Sequence, residues 1–453
     1  MKLNNIEVKH IYMLGIGGIG MSSLAQYFLY NGCKVSGYDR VRSEICNILE
    51  NKGANIHYEA NNDLVPNDIN LVVYTPAIAD DFTEWEIIKN KKLPVYKRSD
   101  ILAMITPQFK TFAVAGTHGK STVTAILSHI WNTADRDFMS MVGAIIKNYE
   151  NNFIINGEPK EFIVEADEYD KTFLKFTVDT GIITSIEPDH LDIYKNYEDL
   201  KTAFTEFANK TKNEIWLDEN VNLQTNKKNL TYGLSDNSDI FAYNIRLKDS
   251  KYIFDVKSNY HNIKIEKLQL NITGKHNIKN AIASIAIALS NNINIDQIKK
   301  AISTYPGLKR RLDLIYNSKN KKYYDDYAHH PTEIDALFEA LKSIYPDKTL
   351  CAIFQPHLYS RTLYLADGFA NALSKWDRII LLDIYPAREE PIDGVTSEWL
   401  LSKIDNKNKY LMTKDELLNN IEKINEDIIV TIGAGDIDRL REPIKNKLIE
   451  YET

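Results

Sequence analysis

Two glycine-rich loops, each lying between a short apolar run and a helical pattern, constrain the fold of this chain more than any other feature. The first loop, residues 15–20, follows the apolar run 11–14, and the second, residues 116–122, follows the apolar run 111–115. A strand, a glycine turn and a helix in this order place backbone N–H groups at a helix N-terminus, where anionic oxygen atoms are favoured. The sequence therefore predicts two βα units, each with its own anionic ligand.

The same alternation of apolar runs and helical patterns continues through three blocks of the 453-residue chain. It predicts the α/β class with largely parallel sheets, and the length suggests about three domains at roughly 150 residues each. The pattern restarts near residue 106 and breaks at Pro306–Gly307, so the predicted domains are residues 1–106, 107–306 and 307–453. A polar, β-rich stretch is expected at residues 240–272.

Composition excludes several classes of protein. The net charge of −7, from 55 basic and 62 acidic residues, argues against a general nucleic-acid surface. No apolar run approaches the roughly 20 residues that cross a bilayer, and no signal-peptide core precedes the first strand, so we expect a cytoplasmic protein without a membrane partner. The 3 cysteines lack CxxC spacing and indicate neither a disulfide framework nor a zinc site.

The first loop fits the dinucleotide-binding pattern G-x-G-x-x-G through Gly15, Gly17 and Gly20. Asp39 follows at the distance where a dinucleotide fold keeps its ribose-binding acid. Close packing of a strand against a helix is the alternative explanation for such a turn. The pattern favours a bound nucleotide without identifying it.

The second loop carries the groups that a triphosphate needs. Lys120 supplies a point charge for the β- and γ-phosphates, and the Ser121 hydroxyl can bind Mg²⁺. The loop departs from the strict P-loop, because Val114 stands where that pattern has its first glycine. A tight turn with a solvent-exposed lysine is the alternative, but the flanking strand and helix favour ATP binding.

Two further residues follow strands that should neighbour this loop. Glu165 ends an apolar strand, and His190 lies just beyond the next one. Because parallel strands share the edge at which their carboxyl ends lie, both should approach Lys120 and Ser121. A purely structural histidine is the alternative for His190.

Later motifs admit two interpretations each. Asn277 and Asn280 begin an apolar helix and could either cap it or contact adenine or phosphate. Arg311 could clamp a phosphate or lie in a solvated hinge. The run 325–331, with paired aspartates and histidines, indicates a nucleotide or substrate contact, and a metal site is the second choice. His357 and Arg361 follow the next strand and could bind a carboxylate.

Taken together, these motifs resemble those of the Mur ligase family. The matching stretches are GIGGIGMSSLA, GTHGKSTVTA, EADEYD, DHLDIY, GKHNIKNAIA, DDYAHHPTEI, FQPHLYSRT, IYPARE and GAGDI, in order over nearly the whole chain. The resemblance implies a Rossmann-like N-terminal domain that binds the UDP portion of a UDP-sugar, a central P-loop ATPase-type α/β domain, and a C-terminal Rossmann-like domain that completes the ATP and amino-acid site.

The resemblance also implies a reaction, in which ATP drives the joining of L-alanine to UDP-N-acetylmuramate through an acyl phosphate during peptidoglycan precursor synthesis. It implies ATP and Mg²⁺ or Mn²⁺ as cofactors, and a monomer or homodimer. A murein tripeptide recycling ligase of the same family is the first alternative. An NAD-dependent oxidoreductase would leave Lys120 unexplained, and a nucleotide-gated binding protein would form no amide.

The resemblance assigns residues to each ligand. The ATP residues are Gly116, Thr117, His118, Gly119, Lys120, Ser121, Thr122, Asn277, Asn280, Arg311 and Asp326. The UDP-sugar residues are Gly15, Gly17, Gly18, Gly20, Asp39 and Thr75, and the amino-acid residues are Tyr327, His357 and Arg361. Lys120, Glu165, His190, Arg311 and Asp326 are assigned to catalysis, and Ser121, Glu165 and His190 to the metal. Tyr169 departs from the serine common in the family, which keeps the amino donor open.

Overall fold

The computed structural model describes residues 1–188, 193–249, 251–387 and 389–452. The chain forms two compact units, one made of residues 1–271 and 277–306 and the other of residues 272–276 and 307–453. Within the described residues the first unit contains two large sheets and the second unit contains one.

The first large sheet is parallel and has the strand order β5-β4-β3-β6-β7. Its apolar central strand, HIYML, is buried along its whole length, as expected for a strand covered on both faces. The strands of this region are β1 (Lys2–Leu3), β2 (Ile6–Glu7), β3 (His10–Leu14), β4 (Lys34–Tyr38), β5 (Asn55–His57), β6 (Leu71–Tyr74) and β7 (Val95–Lys97); the helices are α1 (Ile19–Tyr30), α2 (Glu44–Asn51), α3 (Trp85–Asn90) and α4 (Arg98–Ile105).

The second sheet of the first unit has the order β10-β9-β11-β8-β12-β13-β14-β15-β16-β17 among the described residues. Its strands are β8 (Lys110–Ala115), β9 (Phe138–Ile146), β10 (Asn151–Asn156), β11 (Glu161–Glu165), β12 (Thr180–Ile183), β13 (Ile215–Asp218), β14 (Leu230–Gly233), β15 (Ile240–Lys248), β16 (Lys251–Ser258) and β17 (Ile263–Leu270). The helices of this region are α5 (Lys120–Thr133), α6 (Tyr197–Lys210), α7 (Lys275–Ser290) and α8 (Ile295–Thr304). Strands β11, β8 and β12 are parallel neighbours, so their carboxyl ends share one edge.

The β-rich stretch expected at residues 240–272 is an antiparallel extension of this sheet, formed by β15, β16 and β17. Buried and partly exposed residues alternate along β16, so one of its faces packs inward and the other faces solvent. The sequence did not reveal the antiparallel pair β9 and β10 at the other edge.

The second unit contains a sheet of order β18-β19-β23-β20-β21-β22, parallel except for the pair β18 and β19. Its strands are β18 (Asp313–Asn317), β19 (Lys322–Asp326), β20 (Leu350–Phe354), β21 (Arg378–Leu381), β22 (Lys409–Leu411) and β23 (Ile428–Ile432); its helices are α9 (Pro331–Ile344), α10 (Tyr359–Tyr364), α11 (Ala366–Leu373), α12 (Ser397–Lys403), α13 (Lys414–Asn420) and α14 (Arg441–Glu452). Pro331 begins α9, and the His330 side chain caps it by accepting from the Thr332 N–H group.

The predicted α/β class with three sheet-based domains is confirmed by this architecture. The domain limits at residues 106 and 306 stay predictions. In the part of the chain that was searched, no helix combines the length and the apolar character needed to cross a bilayer.

Candidate active site

The second glycine loop joins the end of β8 to the start of α5 through two glycines with positive φ. Gly116 has φ +129° and Gly119, the N-cap of α5, has φ +85°. Only glycine adopts such angles readily, and the first turn of a helix leaves its N–H groups without intrahelical acceptors. The loop therefore presents the N–H groups of residues 119–122, which include Ser121 and Thr122, as a site for anionic oxygens.

The segment after β12 supports the loop from the neighbouring strand. A Cβ atom on Gly116 would lie 2.1 Å from the Thr184 hydroxyl oxygen, so only glycine fits against this segment. The Thr117 N–H group donates to the Ser185 carbonyl oxygen at 3.0 Å, and the His118 N–H group donates to the Ser185 hydroxyl oxygen at 2.9 Å. The backbone N–H groups of Thr117 and His118 thus hold the loop in place. Any contact of these two residues with ATP must therefore use atoms other than these N–H groups.

Sequence reasoning missed this supporting segment, residues 184–187. The Thr184 hydroxyl donates to the His118 carbonyl oxygen, and the Glu187 N–H group donates to the Thr117 hydroxyl oxygen at 2.9 Å. The Glu187 carboxylate also lies 3.4 Å from His118 Nε2. The available signal was position alone, because these polar residues directly follow a strand that neighbours β8.

Lys120 is held inside the loop. Its Nζ atom donates to the Gly116 carbonyl oxygen at 2.7 Å and to the two carboxylate oxygens of Glu168 at 2.7 and 3.0 Å. Burial alone lowers the pKa of the Lys120 ammonium, but the nearby carboxylates, Glu168 foremost, raise this pKa above its ordinary value. The ammonium is therefore charged at neutral pH, and Glu168 is a site residue that the sequence did not single out.

Glu165 ends β11 beside the same loop, as predicted. Its Oε2 atom accepts a hydrogen bond from the Gly143 N–H group at 2.8 Å, and its charge acts on the Lys120 ammonium. The Ser121 hydroxyl and the Glu165 carboxylate are oxygen donors of the kind that Mg²⁺ prefers, so they fit this metal. His190, the third predicted ligand, lies outside the described residues.

Asn280 reaches this loop from α7. Its Oδ1 atom lies 2.9 Å from the position that a Cβ atom on Gly119 would take, and its Nδ2 group donates to the Asn277 Oδ1 atom at 3.0 Å. Asn280 is 7% exposed. Asn280 lies inside α7, which begins at Lys275, and a contact of the asparagine pair with a nucleotide stays a prediction.

The first glycine loop also brings its predicted residues together. Gly15 has φ +77°, and a Cβ atom there would lie 2.5 Å from Thr75 Cγ2, so the ends of β3 and β6 meet. Asp39 accepts a hydrogen bond from the Gly17 N–H group at 2.8 Å, while Gly18 is the N-cap of α1.

Arg98 also lies against this loop, although the sequence did not indicate it. A Cβ atom on Gly20 would lie 2.5 Å from a guanidinium nitrogen of Arg98, at the start of α4. A guanidinium beside a helix N-terminus adds positive charge where an anionic ligand is expected. A lone arginine after β7 has no distinguishing spacing, which explains why it was missed.

In the second unit, Arg311, which precedes β18, lies beside Asp326 and Tyr327 at the carboxyl end of β19. The Arg311 guanidinium lies 5.3 Å from the centre of the Tyr327 ring and 3.5 Å from a Glu333 carboxylate oxygen. Burial raises the pKa of Asp326 to about 6, although Arg311 and backbone N–H groups at Leu312 and Ala328 favour its ionised form. Arg311 is therefore anchored in a polar cluster.

His357 and Arg361 lie beyond the end of β20, which β23 separates from β19 in the sheet. Arg361 lies 3.3 Å from His357 Nδ1, and the His357 ring stacks on Tyr385 at 5.7 Å between centres. The His329 ring lies 6.3 Å from the His357 ring, which links this pair to the residues after β19. Burial lowers the pKa of His329 to about 4, so this imidazole is neutral at physiological pH.

The two glycine loops and their surrounding charges define a nucleotide-binding enzyme built from α/β domains. Comparison with known proteins gives its family. Residues 10–110 match the model "Mur ligase family, catalytic domain", residues 114–288 match "Mur ligase middle domain" and residues 310–435 match "Mur ligase, glutamate ligase domain".

Individual relatives match over almost their entire length. The UDP-N-acetylmuramate–L-alanine ligase of Flavobacterium psychrophilum is 43% identical over 99% of this chain and 100% of its own. The crystal structure of the UDP-N-acetylmuramate-alanine ligase of Thermotoga maritima matches with a TM-score of 0.83 at 26% identity, covering 98% of this chain and 99% of the other. A murein peptide ligase of Psychrobacter arcticus shares the fold, with a TM-score of 0.71 at 23% identity over 97% and 99% of the two chains.

The chain belongs to the Mur ligase family, whose members are ATP-dependent ligases. The family resemblance noted from the sequence motifs is thereby confirmed, and an oxidoreductase built on the first glycine loop is not supported.

Proposed function

We propose that this protein joins L-alanine to UDP-N-acetylmuramate and converts ATP to ADP and phosphate in the same reaction. One observation carries the proposal: the ends of β8, β11 and β12 bring Lys120 and Glu165 to a single loop at the N-terminus of α5. The 43% identity with an L-alanine ligase supports the choice of substrates.

The chemistry explains why such an enzyme needs ATP. A carboxylate reacts poorly with an amine because its oxygen is a poor leaving group. When a carboxylate oxygen of the sugar attacks the γ-phosphorus, ADP leaves and the carboxylate becomes an acyl phosphate. The alanine amine then attacks the acyl carbon, and phosphate departs with one former carboxylate oxygen.

Lys120 and the N–H groups of residues 119–122 are the groups of this chain suited to the transferring phosphoryl group. Fixed positive charge and oriented N–H dipoles stabilise the negative charge that develops there, and they need no reorganisation during the step. Gly116, through its close contact with Thr184, keeps these donors in place. Asn280, which lies against Gly119 from the side of α7, is proposed to contact the nucleotide.

Mg²⁺ fits the oxygen donors of this site. Ser121 and Glu165 would hold the ion, and His190 is assigned to it by family resemblance. When bound, the metal supplies charge neutralisation at the phosphate oxygens.

The remaining residues are assigned by position. Gly15, Gly17, Gly18, Gly20, Asp39 and Thr75, joined by Arg98, are proposed to bind the UDP portion of the sugar nucleotide. Arg311 and Asp326 are proposed to act on ATP, and Tyr327, His357 and Arg361 on the amino acid. The proposed domains are residues 1–106, 107–306 and 307–453.

The test mixes the purified protein with ATP, Mg²⁺, UDP-N-acetylmuramate and one amino donor at a time, and measures phosphate release and amide product. We expect turnover only when both the sugar nucleotide and L-alanine are present. Turnover with the tripeptide L-alanyl-γ-D-glutamyl-meso-diaminopimelate in place of free alanine would instead indicate a recycling ligase. Phosphate release that ignores the sugar nucleotide would reject the proposal.

A further inference from the structure

A buried ion pair with Glu168 uses the ammonium group of Lys120, which the proposed function requires for phosphate binding. The Glu168 side chain is 1% exposed and the Lys120 side chain is 13% exposed. Both carboxylate oxygens of Glu168 lie within 3.0 Å of the Nζ atom, and the Gly116 carbonyl oxygen lies 2.7 Å from it. An ammonium has three N–H donors, so these acceptors use its hydrogen-bonding capacity.

The backbone around Glu168 fixes its position. The Glu168 carbonyl oxygen accepts hydrogen bonds from the Tyr194 hydroxyl at 2.7 Å and from the Lys171 N–H group at 3.0 Å. These contacts anchor the start of the 3₁₀ helix Tyr169–Lys175. Because the carboxylate is buried on an anchored segment, its pairing with Lys120 is a built feature of the site.

The Glu168 carboxylate accepts the same hydrogen bonds from Lys120 that a phosphate oxygen would accept. The γ-phosphate of ATP is an oxyanion that needs the same ammonium, and carboxylate oxygens compete for the same donors. Glu165 and Asp167 add further negative charge near the ammonium. A triphosphate that binds here must therefore displace the Glu168 carboxylate from Lys120.

We propose that Glu168 is an internal competitor of the nucleotide, which pairs with Lys120 before nucleotide binds and releases it when the terminal phosphates enter. This inference rests on the proposed role of Lys120 in ATP binding. Glu168 is a positioning residue that acts through Lys120. Because of this competition, the protein binds nucleotide more weakly than the loop would without Glu168.

The experiment measures the dissociation constant of a non-hydrolysable ATP analogue with Mg²⁺ by calorimetry, in the wild type and in Glu168→Gln. We expect the variant to bind about tenfold more tightly, because an amide competes less strongly than a carboxylate for the ammonium. Glu161→Gln is the matched control: Glu161 is also a buried acid, paired with Arg136 at 2.8 Å, but it begins β11 while the site lies at the other end. The affinity of the Glu161→Gln variant for the ATP analogue should equal that of the wild type.

A second measurement separates competition from a general structural role. In a Lys120→Met background, the Glu168→Gln substitution should leave the affinity unchanged within about twofold. Unchanged or weaker binding by Glu168→Gln alone would overturn the proposal, as would equal tightening without the lysine. If Glu168→Gln does not fold, Glu168→Asp, which withdraws the carboxylate by one methylene group, should also bind more tightly, and weaker or unchanged binding would overturn the proposal.

Failure of this inference is distinguishable from failure of the proposed function. The affinity of the analogue tests only the competition for Lys120. The dependence of wild-type phosphate release on sugar nucleotide and alanine tests the reaction itself.

Discussion

Gly116 and Thr184 approach so closely that a Cβ atom on the glycine would lie 2.1 Å from the threonine hydroxyl oxygen and 2.8 Å from its backbone nitrogen. This contact joins the second glycine loop to the end of the neighbouring strand β12. The loop is thus positioned by the sheet rather than by its own sequence alone.

Substitution Gly116→Ala should destabilise the protein by at least about 2 kcal/mol and reduce turnover about 100-fold. The φ of +129° strains any other residue, and the added methyl group displaces the Thr184 segment. Urea unfolding and phosphate release measure the two effects. Gly53→Ala is the control, since Gly53 has φ +97° but no atom within 4 Å of the added Cβ; it should cost about 1 kcal/mol and leave turnover intact.

Substitution Lys120→Ala should reduce turnover by about 10²–10³-fold, because one preorganised charge at a transferring group is worth this much. It should leave binding of the sugar nucleotide unchanged, since the loop that carries Gly15 is separate. Steady-state kinetics and calorimetry with UDP-N-acetylmuramate measure these outcomes. Near-normal turnover would remove Lys120 from the mechanism.

Substitution Asp39→Ala should weaken binding of UDP-N-acetylmuramate at least about tenfold, with nucleotide affinity at Lys120 unchanged. The carboxylate of Asp39 accepts a hydrogen bond from the Gly17 N–H group at 2.8 Å, so its loss removes a bond that orders the loop together with the proposed ligand contact. Calorimetric titration with each ligand separates the two sites. Equal weakening of both ligands would show a general loss of structure instead.

His129 should make stability depend on pH. Burial lowers the pKa of His129 from 6.5 to about 4, and its ring nitrogens contact the Tyr149 hydroxyl at 2.7 Å and the Thr304 hydroxyl at 3.0 Å. Well above pH 6.5 the ring is neutral in both the folded and the unfolded state, so its contribution is fully present. As the pH falls towards 4, only the unfolded state gains the proton, and the free energy of unfolding should decrease by up to about 3 kcal/mol.

The check compares urea unfolding at pH 7 and pH 4.5 for the wild type and His129→Gln. The difference in unfolding free energy between the two proteins should change with pH, because other titrating groups cancel in the comparison. A pH-independent difference would show that His129 is not held in its neutral form.

Much of this arrangement follows from strand order. The glycine loops, Lys120 and Glu165 were predictable because apolar runs of this kind form parallel strands, whose carboxyl ends meet at one edge. The contact between Gly15 and Thr75 follows from the same rule.

Other parts of the site depend on packing that the sequence does not express. To predict that Glu168 pairs with Lys120, one would have to know which acidic residue of the run 165–170 turns inward. The run contains several acidic residues, and the sequence alone does not distinguish them. The contact of Asn280 with Gly119 joins residues far apart in the chain through the packing of α7. Residues 184–187 support the loop with ordinary polar side chains and have no motif.

The most direct test of the account follows a carboxylate oxygen through the reaction. UDP-N-acetylmuramate labelled with ¹⁸O in its lactyl carboxylate is turned over with ATP and L-alanine, and the released phosphate is analysed by mass spectrometry. Activation at the Lys120 loop through an acyl phosphate predicts one ¹⁸O atom in each phosphate from a fully labelled substrate. Phosphate free of ¹⁸O, formed together with the amide product, would contradict it.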